Sequence, residues 1–115
     1  MADCLFCRIV DGTIPADIVR RDDDVIAFRD IDPQAPQHVL LIPTQHLEAA
    51  RDAQGPEGER LLGRLVTVAT EVASELGLDH GGYRLVTNTG ADGGQAVFHL
   101  HIHLLGGRVL TWPPG

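Results

Sequence analysis

The 115-residue chain carries sixteen acidic side chains against nine basic ones, a formal charge of −7. That balance disfavours nucleic acid as a main partner, because affinity for a phosphate backbone comes from clustered Lys and Arg; it leaves room for one small anion held by backbone amides. The length fits a single domain, residues 1–115, whose modest core a second copy would enlarge. No apolar run approaches the roughly 18 residues of a membrane span, and Met1-Ala2-Asp3 opens no signal peptide, so the expectation is a cytoplasmic protein without membrane contact.

Residues 4–10, Cys-Leu-Phe-Cys-Arg-Ile-Val, form a short apolar segment of one or two helical turns that Asp11-Gly12 ends. Cys4 and Cys7 are the only cysteines, and a disulfide across so short a loop would remove little chain entropy. Metal binding and ordinary burial both stay open for the pair. Redox activity is less favoured, because no strand precedes it as a thioredoxin-like motif requires. Strands are expected over 18–21 and 25–31, joined as a hairpin by the acidic turn Asp22-Asp23-Asp24, read as solvated. Asp32-Pro33-Gln34-Ala35-Pro36 then breaks the pattern with two prolines. Residues 37–43 read as a third strand, and their near-continuous apolar run places it centrally. His38 opens that strand in either a structural or a supporting role, and His46, in the turn after it, reads on its own as a solvated loop histidine.

The one strong helix spans 56–76. Pro56 suits its first turn, and Glu57 and Glu59 lie near the positive end of its dipole. Leu61, Leu62, Leu65, Val66, Ala69, Val72, Ala73 and Leu76 repeat at helical spacing as one apolar stripe, a core or dimer contact. Gly77 supplies a left-handed stop. His80 falls in a solvated loop, a fourth strand is expected over 83–88, and Thr89 to Gln95 is a glycine-rich loop. The tail holds the only tryptophan, Trp112, between Thr111 and Pro113. Its area would be costly to leave in water, so it is expected to pack on this subunit or a partner.

The glycine loop feeds His99-Leu100-His101-Ile102-His103-Leu104-Leu105, a strict alternation of imidazole and aliphatic. Such a period of two reads as a half-buried strand with three imidazoles on one face, about 6.6–6.8 Å apart. Histidine there, rather than Thr or Lys, points to metal, proton or phosphate chemistry, because neutral imidazole is a nucleophile, a base and a ligand. Gly90, Gly93 and Gly94 permit positive φ and let backbone amides point into a concavity where a phosphate would lie over the imidazoles. No GK[ST] phosphate loop, no GxGxxG opening a helix and no Ser-His-Asp set competes with this reading.

The chain here resembles the histidine-triad (HIT) proteins, whose motif HφHφHφφ is complete at 99–105. The stretch 28–36, His38, the helix, Asn88-Thr89-Gly90-Ala91-Asp92-Gly93-Gly94-Gln95 and Trp112-Pro113-Pro114-Gly115 extend the resemblance over nearly the whole length, toward the Hint branch. It implies an α+β fold, a five-stranded antiparallel sheet with one long helix and a short N-terminal helix, in a homodimer whose Trp112 tail packs near the partner or the active site. The implied activity is hydrolysis of purine nucleoside phosphoramidates, AMP-amine conjugates, through a nucleotidyl-histidine. In that resemblance His101 is the nucleophile, His103 donates to phosphate oxygens, His38 helps set the tautomers, and His99 completes the triad. Phe6, Ile9, Phe28 and Ile31 match the base pocket, Asp30 the ribose acceptor, and Asn88, Gly94, Gln95 and Val97 the phosphate-side loop. Ala96 stands where the branch often carries a serine hydroxyl, a loss of about 1.5–3 kcal/mol to a charged group unless a backbone amide substitutes. Cys4, Cys7, His46 and His99 match a structural Cys2His2 zinc site of some bacterial members; no organic cofactor is implied. The alternative readings are a nucleotide-binding sensor or adaptor with vestigial catalysis, and a dinucleoside polyphosphate hydrolase.

Overall fold

The computed structural model describes residues 4–115. Five strands, β1 (Ile18–Arg21), β2 (Val25–Arg29), β3 (Gln37–Pro43), β4 (Tyr83–Val86) and β5 (Ile102–Gly106), make one sheet in the order β1-β2-β3-β5-β4. Every neighbouring pair is antiparallel. A short helix, α1 (Leu5–Val10), a 3-10 turn (Ala50–Asp52) and a long helix, α2 (Gly55–Glu75), complete the fold. This is the α+β architecture the sequence implied.

Alternation along the central strands sorts the core into two layers. Val39 and Leu41 of β3, Val25 and Ala27 of β2, and Leu100, Ile102 and Leu104 meet Leu65, Val68, Ala69, Val72 and Ala73 of α2. The opposite face carries Ile26, Phe28, Leu40 and Ile42, which α1 covers with Phe6 and Ile9. Leu65, Ala69 and Val72 have no exposed surface; cutting a buried leucine such as Leu65 to alanine costs about 2–5 kcal/mol. The stripe departs from the sequence reading at two positions: Val68 joins it, and Val66 is exposed. Gly77, at φ +77°, ends α2 as expected, and the Leu78 amide reaches back to the Ala73 carbonyl at 2.9 Å.

Three expectations need correction. Strand β2 stops at Arg29, so Asp30 and Ile31 belong to the turn that follows. The histidine segment is a strand only from Ile102. Before it, the Leu100 amide donates not to a neighbouring strand but to the Leu47 carbonyl, at 2.6 Å. The acidic turn is not simply solvated. Asp22 Oδ1 accepts from the amides of Asp24 and Val25, both at 2.9 Å, and Arg64 reaches its Oδ2 at 2.7 Å. Burial raises the Asp22 carboxyl, but those amides and the guanidinium outweigh it and hold it below the ordinary range. With Arg60 on Asp24 at 3.0 Å, this turn ties the hairpin to α2. Among the described residues no helix is long and apolar enough to cross a membrane.

Candidate active site

β3 and β5 lie side by side with Leu40 opposite His103 and His38 opposite Leu105, so His38 and His103 project from the same face, the one α1 partly covers. On this face the imidazoles are oriented by hydrogen bonds whose direction the backbone decides. The Gln34 amide donates to His38 Nδ1 at 3.0 Å, so neutral His38 carries its proton on Nε2. That Nε2 lies 2.9 Å from His103 Nδ1, which must therefore accept, leaving the His103 proton on Nε2. Asp30 Oδ2 stands 3.5 Å from the same His38 nitrogen. Burial is the main force keeping these rings neutral. It lowers His38 against the pull of Asp30 and Asp32. It also pushes His103 down to about 4, helped by the neighbouring His101 and His38.

His101 is fixed by the same logic. Its Nδ1 lies 2.7 Å from the His99 carbonyl oxygen, an acceptor only, so Nδ1 bears the proton and Nε2 keeps a free lone pair. The Phe6 ring stands edge-on to this imidazole at 5.1 Å between centroids, and His103 at 5.0 Å. The face thus pairs one imidazole whose Nε2 keeps its lone pair with one whose proton sits on Nε2, an acceptor beside a hydrogen-bond donor.

His99 belongs to a different group. It is completely buried, its Nε2 lies 3.0 Å from the Pro43 carbonyl, and its Nδ1 is therefore the bare nitrogen. Burial is the main force holding it below the ordinary histidine range. That Nδ1 faces Cys4 Sγ at 3.4 Å, Cys7 Sγ at 3.6 Å and His46 Nδ1 at 3.2 Å, and Cys7 Sγ is 3.3 Å from His46 Nδ1. All four donor atoms lie within 4.8 Å of one another. Two sulfurs and two imidazole nitrogens converging in this way form a group able to hold a metal ion. The Cys7 amide donates to Cys4 Sγ at 3.3 Å, and the bond to Pro43 fixes the His99 ring, the outer support such ligands require. His46 is thus no solvated loop histidine. Asp30, His38 and His103 also cluster, but their hydrogen bonds already account for that arrangement.

An apolar cleft of about 300 Å³ opens beside the imidazoles, lined by Leu5, Phe6, Ile9, Ile14, Phe28, Asp30, Leu40 and Val97 among others. Phe6 and Phe28 meet edge to face at 5.5 Å. Ile31 reaches this cleft only at its rim, with its side chain fully exposed at 101%, because the chain has already left β2. Asn88, Val86 and Arg84 of the β4 side line a second hollow with His38 and His103.

In the glycine loop, Gly90 and Gly94 adopt positive φ, +75° and +81°. Gln95 is buried and braces this loop: its Oε1 accepts from the Gly90 amide at 2.9 Å, while its Nε2 donates to the carbonyls of Glu48 and Val97. Its side chain is therefore occupied within the protein, and its backbone amide donates to the Gly90 carbonyl at 3.1 Å. Ala96 is exposed and carries no hydroxyl. Trp112 is 81% exposed, so it does not pack on its own subunit, as the sequence had allowed. Sequence reasoning missed the carbonyls of Pro43, Leu47 and His99 and the amide of Gln34, since backbone groups leave no mark in residue type.

A family model described as the HIT domain matches residues 11–110. An uncharacterized HIT-like protein of Synechococcus elongatus is 52% identical over 98% of this chain and 97% of its own. The purine nucleoside phosphoramidase of Escherichia coli is 49% identical over 94% of this chain and 90% of its own. Among solved structures, a HIT family hydrolase from Legionella pneumophila superposes with a TM-score of 0.94 at 49% identity, covering 98% of this chain and all of that one. With its family match running over nearly the full length, the chain belongs to the HIT-domain family.

Proposed function

We propose that this protein hydrolyses the P–N bond of purine nucleoside phosphoramidates, AMP-amine conjugates, through a nucleotidyl-histidine. The observation that carries the reading is the His101 Nδ1–His99 carbonyl bond, which leaves Nε2 unprotonated and free to attack. Similarity to the Escherichia coli phosphoramidase supports the substrate class.

In this mechanism the purine enters the cleft between Phe6 and Phe28, Asp30 accepts from the ribose hydroxyls, and the α-phosphate lies against the glycine loop. The lone pair of His101 Nε2 attacks phosphorus as the P–N electron pair leaves with the amine, which takes up a proton from solvent. His103 Nε2–H donates to the phosphoryl oxygens as charge builds on them, held in that tautomer by His38. Water then cleaves the nucleotidyl-histidine to AMP and returns His101 to its starting state, so that one water is consumed per turnover.

The Cys4, Cys7, His46 and His99 donors fit a structural zinc. Tetrahedral zinc at ordinary Zn–S and Zn–N lengths sets its donors about 3.3–3.8 Å apart, close to the 3.2–3.6 Å of four of the six donor pairs here, and four protein ligands leave no open position. Zinc there would supply a crosslink, not reaction chemistry. The reading also takes two copies as the working unit. Edge strand β4 and the exposed Val66, Val109 and Trp112 would then be covered by a second subunit.

The test is turnover of an AMP-amine conjugate by the purified chain beside His101→Ala. The expected result is a wild-type rate at least about a thousandfold above the variant; equal rates would sink the proposal. Ala96 favours one competing reading, a sensor that binds AMP without turnover. Calorimetric AMP binding combined with no rate above the variant would select it.

A further inference from the structure

We propose that the Cys4–Cys7–His46–His99 group and the nucleotide pocket are coupled, so that metal and nucleotide each bind more tightly when the other is present. The inference rests on the metal and nucleotide readings above and adds that the two sites share their moving parts.

The first shared part is His99. Its ring presents Nδ1 to the donor group, while its carbonyl accepts from His101 Nδ1 at 2.7 Å. The residues flanking His46 hold this segment at two points, the Pro43 carbonyl at the end of β3 on His99 Nε2 and the Leu47 carbonyl on the next amide, Leu100. A shift of His99 therefore displaces the acceptor that decides which nitrogen of His101 is free.

The second shared part is α1. Cys4 is its N-cap and Cys7 lies two residues in, while Phe6 and Ile9 on the same six residues face the cleft. A helix this short has almost no stability of its own and is held by what it packs on. The Phe6 ring touches both histidine groups edge-on, His99 at 5.9 Å and His101 at 5.1 Å between centroids. Whatever fastens the two cysteines also fastens the wall of the base pocket.

Without a cation the four donors are joined only by hydrogen bonds, His46 Nδ1 to His99 Nδ1 at 3.2 Å and the weakly bonding cysteine sulfurs at 3.3–3.6 Å. Such bonds hold α1 and His99 less firmly than four metal–ligand bonds would. A nucleotide binding the metal-free protein must order both again; one binding the loaded protein finds them in place. Linkage makes the effect reciprocal.

The experiment uses the full chain loaded with zinc and the same chain stripped by a chelator, with circular dichroism confirming that both are folded. AMP affinity is measured on each by calorimetry. Zinc affinity is measured by competition with a chromophoric chelator, with and without saturating AMP. The coupling predicts about tenfold tighter AMP binding to the loaded form and the same factor in zinc affinity, within the usual range for linked sites. AMP affinities that agree within about twofold overturn the coupling alone. AMP binding to neither form overturns the nucleotide reading, and absence of zinc binding overturns the metal reading. Should the stripped chain lose its fold, cobalt(II) replaces zinc and its thiolate-sensitive visible bands are followed during an AMP titration. The coupling predicts a shift of those bands, and bands unmoved at saturation overturn it.

Discussion

His38 and His103 form a directed pair: the Gln34 amide fixes the His38 proton on Nε2, and that proton is given to His103 Nδ1 across 2.9 Å. The direction matters because it leaves His103 with its one N–H on Nε2. A turn amide and two rings thus form one line of donors, each set by the one before it.

Replacing His38 by Ala removes the donor and frees His103 to populate both tautomers. We expect kcat on an AMP-amine conjugate to fall by about tenfold to a hundredfold, with a smaller change in KM, because only the orientation of the donor is lost. The drop should stay below that of His101→Ala. Nitrogen-15 imidazole shifts give the independent check: wild-type His103 shows one tautomer, and the variant shows an average.

Acid should weaken the fold through the same ring. In the folded chain His103 protonates only near about 4, against an ordinary value of 6.5. Between those limits the unfolded chain binds the extra proton, so stability rises with pH. The contribution is complete above about 6.5 and is lost as pH falls toward 4. Over most of that window the loss amounts to about 2–3 kcal/mol. Urea unfolding at both ends should show the wild type losing that much more than His103→Asn. Equal losses would mean that the ring is not buried as described.

Much of this was readable from residue order, for identifiable reasons. β3 was legible over its full length because both its layers are apolar, and α2 because its stripe repeats at helical spacing. The boundary at Ile102 was not, because the alternation of His99, His101 and His103 continues through a segment that has left the ladder. Without the family resemblance only the Cys4–Cys7 pair pointed to a metal, since His46 and His99 join it only when the His46 loop closes on His99. Gln95, matched to the phosphate-side loop through the resemblance, engages its side-chain amide with Gly90, Glu48 and Val97, which residue type alone does not reveal.

Two glycines of α2 should respond to alanine with opposite signs. A Cβ on Gly58 would stand 2.3 Å from the Ala53 carbonyl carbon, a backbone atom that cannot step aside, whereas one on Gly63 would meet nothing within 4 Å. Gly63→Ala therefore gains helix propensity and should stabilise by about 0.5–1 kcal/mol. Gly58→Ala gains the same propensity but must push α2 off the preceding turn, and should destabilise by about 1–3 kcal/mol. Thermal melts of the two variants beside the wild type check the signs.

Metal removal should act on stability as well as on the pocket. If zinc bridges α1, the His46 loop and His99, it binds the folded chain alone, and a thousandfold excess over its Kd contributes about 4 kcal/mol by mass action. Cys4→Ser leaves one thiolate fewer and should reduce metal content by elemental analysis from near one equivalent per chain to a trace. Its melting temperature should then fall to that of the chelator-stripped wild type and no longer respond to added zinc. The second observation separates a lost ligand from a lost cap, because Cys4 Sγ also accepts from the Cys7 amide. Serine keeps an acceptor for that amide, so a variant that still responds to zinc would show that Cys4 is not a metal ligand.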